Sequence, residues 1–333
     1  MEHTATSLTA DSAADQAFPA ARFIKEIGRG KKGARSMSRA DASALYAAML
    51  DGRVSDLEMG GILLAMRIKG ESVEELAGFL DAAEASFARL PDPPGDYAPV
   101  VLPSYNGSRA MPNLTPLLAL LLARRGVPVL VHGVEQDPGR VTSAEIFREL
   151  GLPFAGSIVD VGQAFADRQP VFMPIDALAP KLAGQLALRR ILGVRNSTHT
   201  LVKILQPFAG PALRLTSYTH PEYLTMLTEY FLQAAPPERG DVFLMRGTEG
   251  ETVANAKRAQ QIDWFHQRRH TVLVERDAPV DELPPLPAQS DAVTTARWIE
   301  AALRGEQPVP APIAAQAGHC ADVAARLRAA GEG

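Results

Sequence analysis

Residues 98–151 read APVVLPSYNGSRAMPNLTPLLALLLARRGVPVLVHGVEQDPGRVTSAEIFRELG. The stretch opens on a short apolar run, VVLPS, and turns through a polar loop. A long apolar helix follows, then a second apolar run, VLVHG, another polar loop and another helix. Short apolar runs alternating with helices predict βαβ units and a parallel sheet. In such sheets the loops at the carboxyl ends of the strands hold the ligand. The loops to question are therefore Pro103–Asn113 and Val131–Val141.

Outward from this core, the first 20 residues are small and polar and are expected to form a disordered tail. Residues 21–94 carry a helical pattern. AARFIKEI is a first helix, Ser38 caps a second, Ser55 or Asp56 a third, and Ser72 a fourth. Pro91, Pro93, Pro94 and Gly95 form a linker. Residues 95–333 continue the alternation less regularly. VFMPIDAL, ALRLTSYTH, DVFLMRG and HTVLVER contain strands, and Pro180–Leu192, PEYLTMLTEYFLQ, TTARWIEAAL and ADVAARLRAA read as helices. The fold class expected is α/β: an N-terminal helical domain, completed by helices near residues 178–205, and a larger α/β domain with a mostly parallel central sheet.

The 333 residues are 46% hydrophobic, enough for a large core, and the formal charge of −4 gives no global attraction to nucleic acid. A single cysteine, Cys320, excludes an internal disulfide framework. Neither a signal peptide nor an 18-residue apolar run is visible, so the expectation is a cytoplasmic protein with no membrane partner.

Two motifs are decoys. Gly28-Arg-Gly30-Lys-Lys-Gly33 matches G-x-G-x-x-G, but the polar ARSMSRAD follows where a dinucleotide loop needs an apolar helix. His266 and His270 have zinc-helix spacing, yet Gln267 replaces the required glutamate and a strand follows, so a surface turn is the expected reading. Cys320 with its neighbour His319 lacks a third partner for nucleophilic work.

The stretch around the first decoy has a second property. Lys25, Arg29, Lys31, Lys32 and Arg35 face one acid, Glu26, and the interspersed glycines let backbone approach a phosphate chain. The bland alternative is a solvated basic turn.

The chain resembles the anthranilate phosphoribosyltransferase family (glycosyltransferase family 3) over roughly residues 22–330. PNLTPLLALLLARRGVPVLVHG is similar to the family segment from its asparagine to its Lys-His-Gly strand end, with Asn113, His132 and Gly133 on the Asn, His and Gly. LGVRNSTHTLVKILQPF resembles LGxRTxFNxLGPLxNP and places Arg195 on the anthranilate-contacting arginine. FLMRGTEGE resembles the strand ending in HGxDGLDE.

Departures accompany the matches. The family's GTGGD loop, which holds the pyrophosphate of phosphoribosyl pyrophosphate, is here Pro103-Ser104-Tyr105-Asn106-Gly107. The Asn-Arg pair of KHGNRxVSSKSGS has become Val134-Glu135, and Arg140 stands on the lysine position. The magnesium-binding Asp-Glu pair is Thr252-Val253, with Glu249 and Glu251 nearby. This pattern resembles the family's divergent YbiB-type branch. That resemblance implies a homodimer, associated through the helical domain, that binds nucleic acid without sequence preference and lacks transferase activity.

Two functional expectations stand. In the first, single-stranded or duplex nucleic acid is held through its backbone by Lys25, Arg29, Lys31, Lys32 and Arg35, with Arg189, Arg190, Arg195 and Lys203 along the interdomain groove. No catalytic residue, cofactor or metal is then expected. In the second, the chain is a phosphoribosyltransferase for an unidentified aromatic or nucleobase acceptor, with magnesium. Its vestigial or working ligand site would be Ser104, Asn106, Gly107, Asn113, His132, Gly133, Arg140 and Arg195. A ligand-free structural dimer is the plain alternative to both.

Overall fold

A computed structural model describes residues 17–30, 32–278 and 285–331. The chain opens with α1 (Ala21–Ile27), α2 (Arg39–Leu50), α3 (Asp56–Lys69) and α4 (Val73–Ala85). Ser38, Ser55 and Ser72 cap the last three through their side chains, and Ser55 and Ser72 do so in full capping boxes with Glu58 and Glu75. The expected tail of residues 1–20 lies mostly outside the described residues. Its last part is corrected: Phe18 stacks on Phe23, its N–H donates to the Arg53 carbonyl, and Ala20 is fully buried.

The α/β part runs β1 (Val100–Ser104), α5 (Thr115–Ala123), β2 (Val129–Gly133), α6 (Ser143–Glu149), α7 (Ile158–Ala166), β3 (Val171–Pro174), α8 (Ile175–Leu178), α9 (Pro180–Ala187), α10 (Arg189–Leu192) and α11 (Thr198–Leu201). It continues through β4 (Leu213–Tyr218), α12 (Pro221–Gln233), β5 (Val242–Arg246), β6 (Ile262–His266), β7 (Arg269–Val274), α13 (Ala292–Leu303) and α14 (Ala311–Gly331). The strands form one sheet in the order β3-β2-β1-β4-β5-β6-β7. The first five are parallel, and β6 and β7 are antiparallel. The chain winds outward from β1 to β3, then returns to β4 on the other side of β1. That reversal opens a crevice at the carboxyl ends of β1 and β4.

Successive side chains leave opposite faces of the sheet. Val101, Leu130 and Leu244 point to one core, and Val100, Leu102, Val129, Val131, Phe243 and Met245 to the other. The second core is covered by α5, α13 and α14. The first is continuous with the helical domain: Leu45, Phe79, Leu182, Leu201 and Phe231 belong to the same apolar cluster as Val101. Hydrogen bonds cross this junction, from Gln185 to the Met49 carbonyl (3.3 Å) and between the Tyr46 and Thr198 hydroxyls (2.7 Å). The helical bundle is thereby fixed against the crevice.

Several elements differ from the sequence reading: α7 was not anticipated, and α14 begins ten residues before the expected ADVAARLRAA helix. Pro180–Leu192 is not one helix, because the Asn196 side chain takes the Gln185 carbonyl at 2.8 Å. That carbonyl would otherwise accept from the N–H of Arg189, and the helix breaks there into α9 and α10. Strand β6 was not anticipated. It forms a hairpin with β7, turning at Gln267 and Arg268, both at positive φ (46° and 59°). Among the described residues no helix is long and apolar enough to cross a membrane.

Candidate functional site

The loop after β1 is built by close contact between two strand ends. Ser104 pairs in register with Gly133 at the end of β2. A Cβ on Gly133 would lie 1.7 Å from the Ser104 carbonyl oxygen, so this position admits no side chain. The Tyr105 hydroxyl lies 2.7 Å from Nδ1 of His132. Burial pushes the His132 imidazole down to about 3, so the ring is neutral and Nδ1 accepts from Tyr105. Ser104 donates to the Ser143 hydroxyl (2.8 Å), which also receives Asn113 (3.1 Å). The Asn113 side-chain oxygen, Oδ1, accepts from the N–H of Thr115 at the start of α5 (3.1 Å).

Next in this loop, the N–H groups of Asn106 and Gly107 both point at one carboxylate oxygen of Glu251, at 3.0 and 2.7 Å. Glu251 is fully buried. Paired loop N–H groups of this kind form an anion cradle, and here an acid of the protein's own chain fills it. Burial pushes the Glu251 carboxyl up, while the two N–H groups and the charge of Lys203 pull it back. Glu249 repeats the arrangement one step along, accepting from the N–H groups of Arg109 and Ala110. Gly250 between them has φ +97°, and a Cβ there would strike Asn106 at 2.0 Å. Its carbonyl collects Asn106 (2.9 Å) and Ser217 (2.8 Å).

The second loop closes on the first. Ser108 and Val141 exchange backbone hydrogen bonds at 2.9 and 2.8 Å, and Arg140 donates to the Gly107 carbonyl at 3.2 Å. Glu135, expected to repel a phosphate, is ion-paired with Arg148. Thr252 and Val253, on the family's magnesium positions, are buried, and Val253 belongs to the apolar core. Among the described residues no group of three His, Cys, Asp or Glu side chains is placed to hold a metal ion. These residues do not fit magnesium, since a hard cation needs several oxygen ligands.

Beside the filled cradle a cleft of about 280 Å³ remains, lined by Arg67, Arg195, His199, Lys203, Tyr218 and Tyr223 among others. Arg195 donates to the Asn106 side-chain oxygen at 2.8 Å. Burial lowers its pKa, and so do the charges of Arg189 and Arg140; Asp137 opposes them. Burial likewise pushes the Lys203 ammonium down to about 8 and His199 down to about 4. The cations of the cleft are thus Arg67, Arg195 and Lys203; His199 is neutral, and Glu222 lines the cleft with them. Of the eight residues of the expected ligand site, Arg195 lines this cleft, and the other seven pack around the ends of β1 and β2 and the loops that follow them. Arg189 is exposed on α10 and reaches Asp137 at 3.9 Å, and Arg190 is exposed beside it.

The basic turn is a separate feature. Lys31 lies outside the described residues. Lys25, Arg29, Lys32 and Arg35 are exposed around the end of α1. Two of them are less free than expected: Arg29 and Arg35 share Glu26, at 2.6 and 3.7 Å. The turn is anchored where the Arg35 N–H meets the Glu26 carbonyl (3.1 Å) and the Met37 N–H meets the buried Glu75 carboxylate (2.9 Å).

His266 and His270 are not on a helix. They sit on β6 and β7 and bind different carboxylates, Asp241 and Asp263, each at 2.7 Å. Cys320 is fully buried in α14, and burial pushes its thiol up. Sequence reasoning missed the cradle-filling role of Glu251 and the cleft residues Arg67, His199, Tyr218 and Tyr223. One signal for Glu251 was present: in HGxDGLDE its position is a leucine, and an acid that replaces an apolar residue there needs a buried partner.

Residues 21–86 match the family described as glycosyl transferase family, helical bundle domain. The chain is 47% identical over 304 residues to the uncharacterized protein YbiB of Escherichia coli, covering 90% of this chain and 92% of that one. It is 30% identical to the anthranilate phosphoribosyltransferase of Rhodopseudomonas palustris over 57% of this chain and 54% of that one. Among solved structures, anthranilate phosphoribosyltransferase from Thermus thermophilus superposes with a TM-score of 0.68 at 20% identity, over 91% and 89% of the two chains. The fold is thus that of a phosphoribosyltransferase.

Proposed function

Because the chain belongs to the YbiB-type branch of the anthranilate phosphoribosyltransferase-like (glycosyltransferase family 3) proteins, we propose that it has kept the fold, lost phosphoribosyl transfer and binds nucleic acid through its backbone. The observation that carries this reading is the Glu251 carboxylate on the N–H groups of Asn106 and Gly107. A phosphate cannot take those donors while an internal anion holds them. Positive charge faces outward on the Lys25–Arg35 turn and on Arg189 and Arg190, and Arg195 and Lys203 continue it into the cleft. Such cations bind phosphates by releasing counterions, and backbone contacts carry no sequence information. An exposed apolar stripe on α3 supports self-association: Leu57, Leu64 and Ile68 are 89%, 43% and 64% exposed.

The test is a salt titration of binding to fluorescent single-stranded and duplex DNA, comparing wild type with Lys31→Ala/Lys32→Ala/Arg35→Ala. Binding that falls steeply with salt and weakens in the triple variant is expected. A log–log slope indistinguishable from zero overturns the reading.

A second reading draws on the comparisons, whose relatives of assigned activity are transferases. The cleft with Arg195 would hold an aromatic or nucleobase acceptor, and magnesium would be needed with phosphoribosyl pyrophosphate. The relatives favour this reading, and the filled cradle opposes it. Turnover of phosphoribosyl pyrophosphate with magnesium, abolished in Arg195→Ala, would establish it in place of the first.

A further inference from the structure

Tyr218, at the end of β4, belongs to two cavities. One is the cleft already described. The other, of about 480 Å³, lies toward the antiparallel end of the sheet. Arg246 reaches it from the end of β5, Arg258 and Gln261 from the connection to β6, and Arg276 from the end of β7. None of the three arginines is ion-paired among the described residues, and no carboxylate lines the cavity. Asp263, whose charge acts on Tyr218, is committed to His270 (2.7 Å) and Gln261 (2.9 Å). The remaining wall mixes Tyr218, Pro221, Leu224 and Ala259 with the polar Thr219, Asn255 and Gln260.

Three arginines from three segments, lining one cavity without a counter-charge among the described residues, form a site for a group with several anionic oxygens. Arginine matches phosphate through paired N–H donors. Tyr218 with Pro221 and Leu224 offers stacking surface for a flat heterocycle, and Asn255 and Gln260 offer amide groups for its edge. The volume is that of a small-ligand pocket, not of a surface dimple. We infer that this cavity binds a nucleoside 5′-phosphate group, with Arg246, Arg258 and Arg276 on the phosphate and Tyr218 against the base. The group has two sources: a free mononucleotide, or the phosphorylated 5′ end of a strand. The site goes beyond the backbone-binding reading, because it stands even if internal stretches of nucleic acid are not held.

The test titrates the full chain by calorimetry with adenosine 5′-monophosphate and with inorganic phosphate. Fluorescence titrations use a short oligonucleotide with a 5′-phosphate or a 5′-hydroxyl. The mononucleotide is expected to bind one per chain, about tenfold or more tighter than inorganic phosphate. Arg246→Gln/Arg258→Gln/Arg276→Gln abolishes that binding. Tyr218→Leu weakens the mononucleotide by about tenfold and leaves inorganic phosphate unchanged. Should the triple variant not fold, Arg258→Gln alone is expected to lose about tenfold. A 5′-phosphate preference lost in the triple variant assigns the site to strand ends, and mononucleotide binding without that preference assigns it to free nucleotides. Absence of both overturns the inference, and so does inorganic phosphate binding as tightly as the mononucleotide. Binding of the 5′-hydroxyl strand, and its loss in Lys32→Ala/Arg35→Ala, reports separately on the backbone-binding reading.

Discussion

The Tyr105 hydroxyl sits 2.7 Å from Nδ1 of His132, and the histidine is shut away from solvent. In the family pattern the first of these positions is a glycine of the phosphate loop, and the second ends the neighbouring strand. Their contact converts a ligand loop into packed interior. An imidazole held this way stays neutral until about pH 3, whereas an unfolded chain takes up the proton near pH 6.5.

Between those values the unfolded state binds more protons, so stability falls as the pH falls. His132→Asn keeps an acceptor for Tyr105 and removes the titration. Wild type is expected to lose roughly 3 kcal/mol relative to this variant between pH 6.5 and pH 4. Urea denaturation at several pH values reads the difference, and parallel pH profiles of the two proteins would refute it.

Glu251→Ala strands two buried N–H groups and is expected to cost about 2–4 kcal/mol. Glu251→Gln keeps the accepting oxygen and costs less than about 1.5 kcal/mol. The alanine variant also reopens the cradle, so millimolar inorganic phosphate should raise its Tm and leave that of wild type unchanged. Equal phosphate effects on the two would show that the cradle is not an anion site.

In the basic turn, Lys32 and Arg35 are exposed and Arg35 is held only loosely by Glu26. Removing both with Lys32→Ala/Arg35→Ala should lower the slope of log K against log salt by about 1.8 on duplex if each touches one phosphate. The loss should be the same for unrelated sequences. A sequence-dependent loss would mean that these residues read bases.

The α3 stripe makes a prediction about assembly. Leu64→Glu/Ile68→Glu introduces charge where an apolar contact between two copies is proposed. Sedimentation velocity should then show a monomer of unchanged Tm by circular dichroism at matched low concentration. A dimer that survives the double change would place the interface elsewhere.

The strands β1, β2, β4 and β5 were legible because each is a short apolar run between loop-forming residues. Strand β6 was not, since Asp263, Trp264 and His266 break up its apolar signal. Their partners explain why they are tolerated: Asp241 takes both Trp264 and His266, at 2.7 Å each, and Asp263 takes His270. The loss of the glycine loop could be read from residues 103–107 alone. What replaced its ligand could not, because Glu251 reaches Gly107 across 144 positions of sequence. Likewise the break before α10 depends on an asparagine eleven positions downstream of the carbonyl it captures. Local pattern gave the elements; long-range polar partners decided where they stop and what the loops hold.

The filled cradle also bears on the history open to this chain. Removing Glu251 first exposes unsatisfied N–H groups and costs stability. Restoring the loop glycines or the metal-binding acids first changes nothing, because the site stays occupied. If transfer has been lost as proposed, no single substitution along a route back brings both a stable protein and a working site. Under the reading proposed above, the plug acts as a ratchet: with an internal carboxylate satisfying the loop, a return to the transferase chemistry lies out of reach of stepwise reversal.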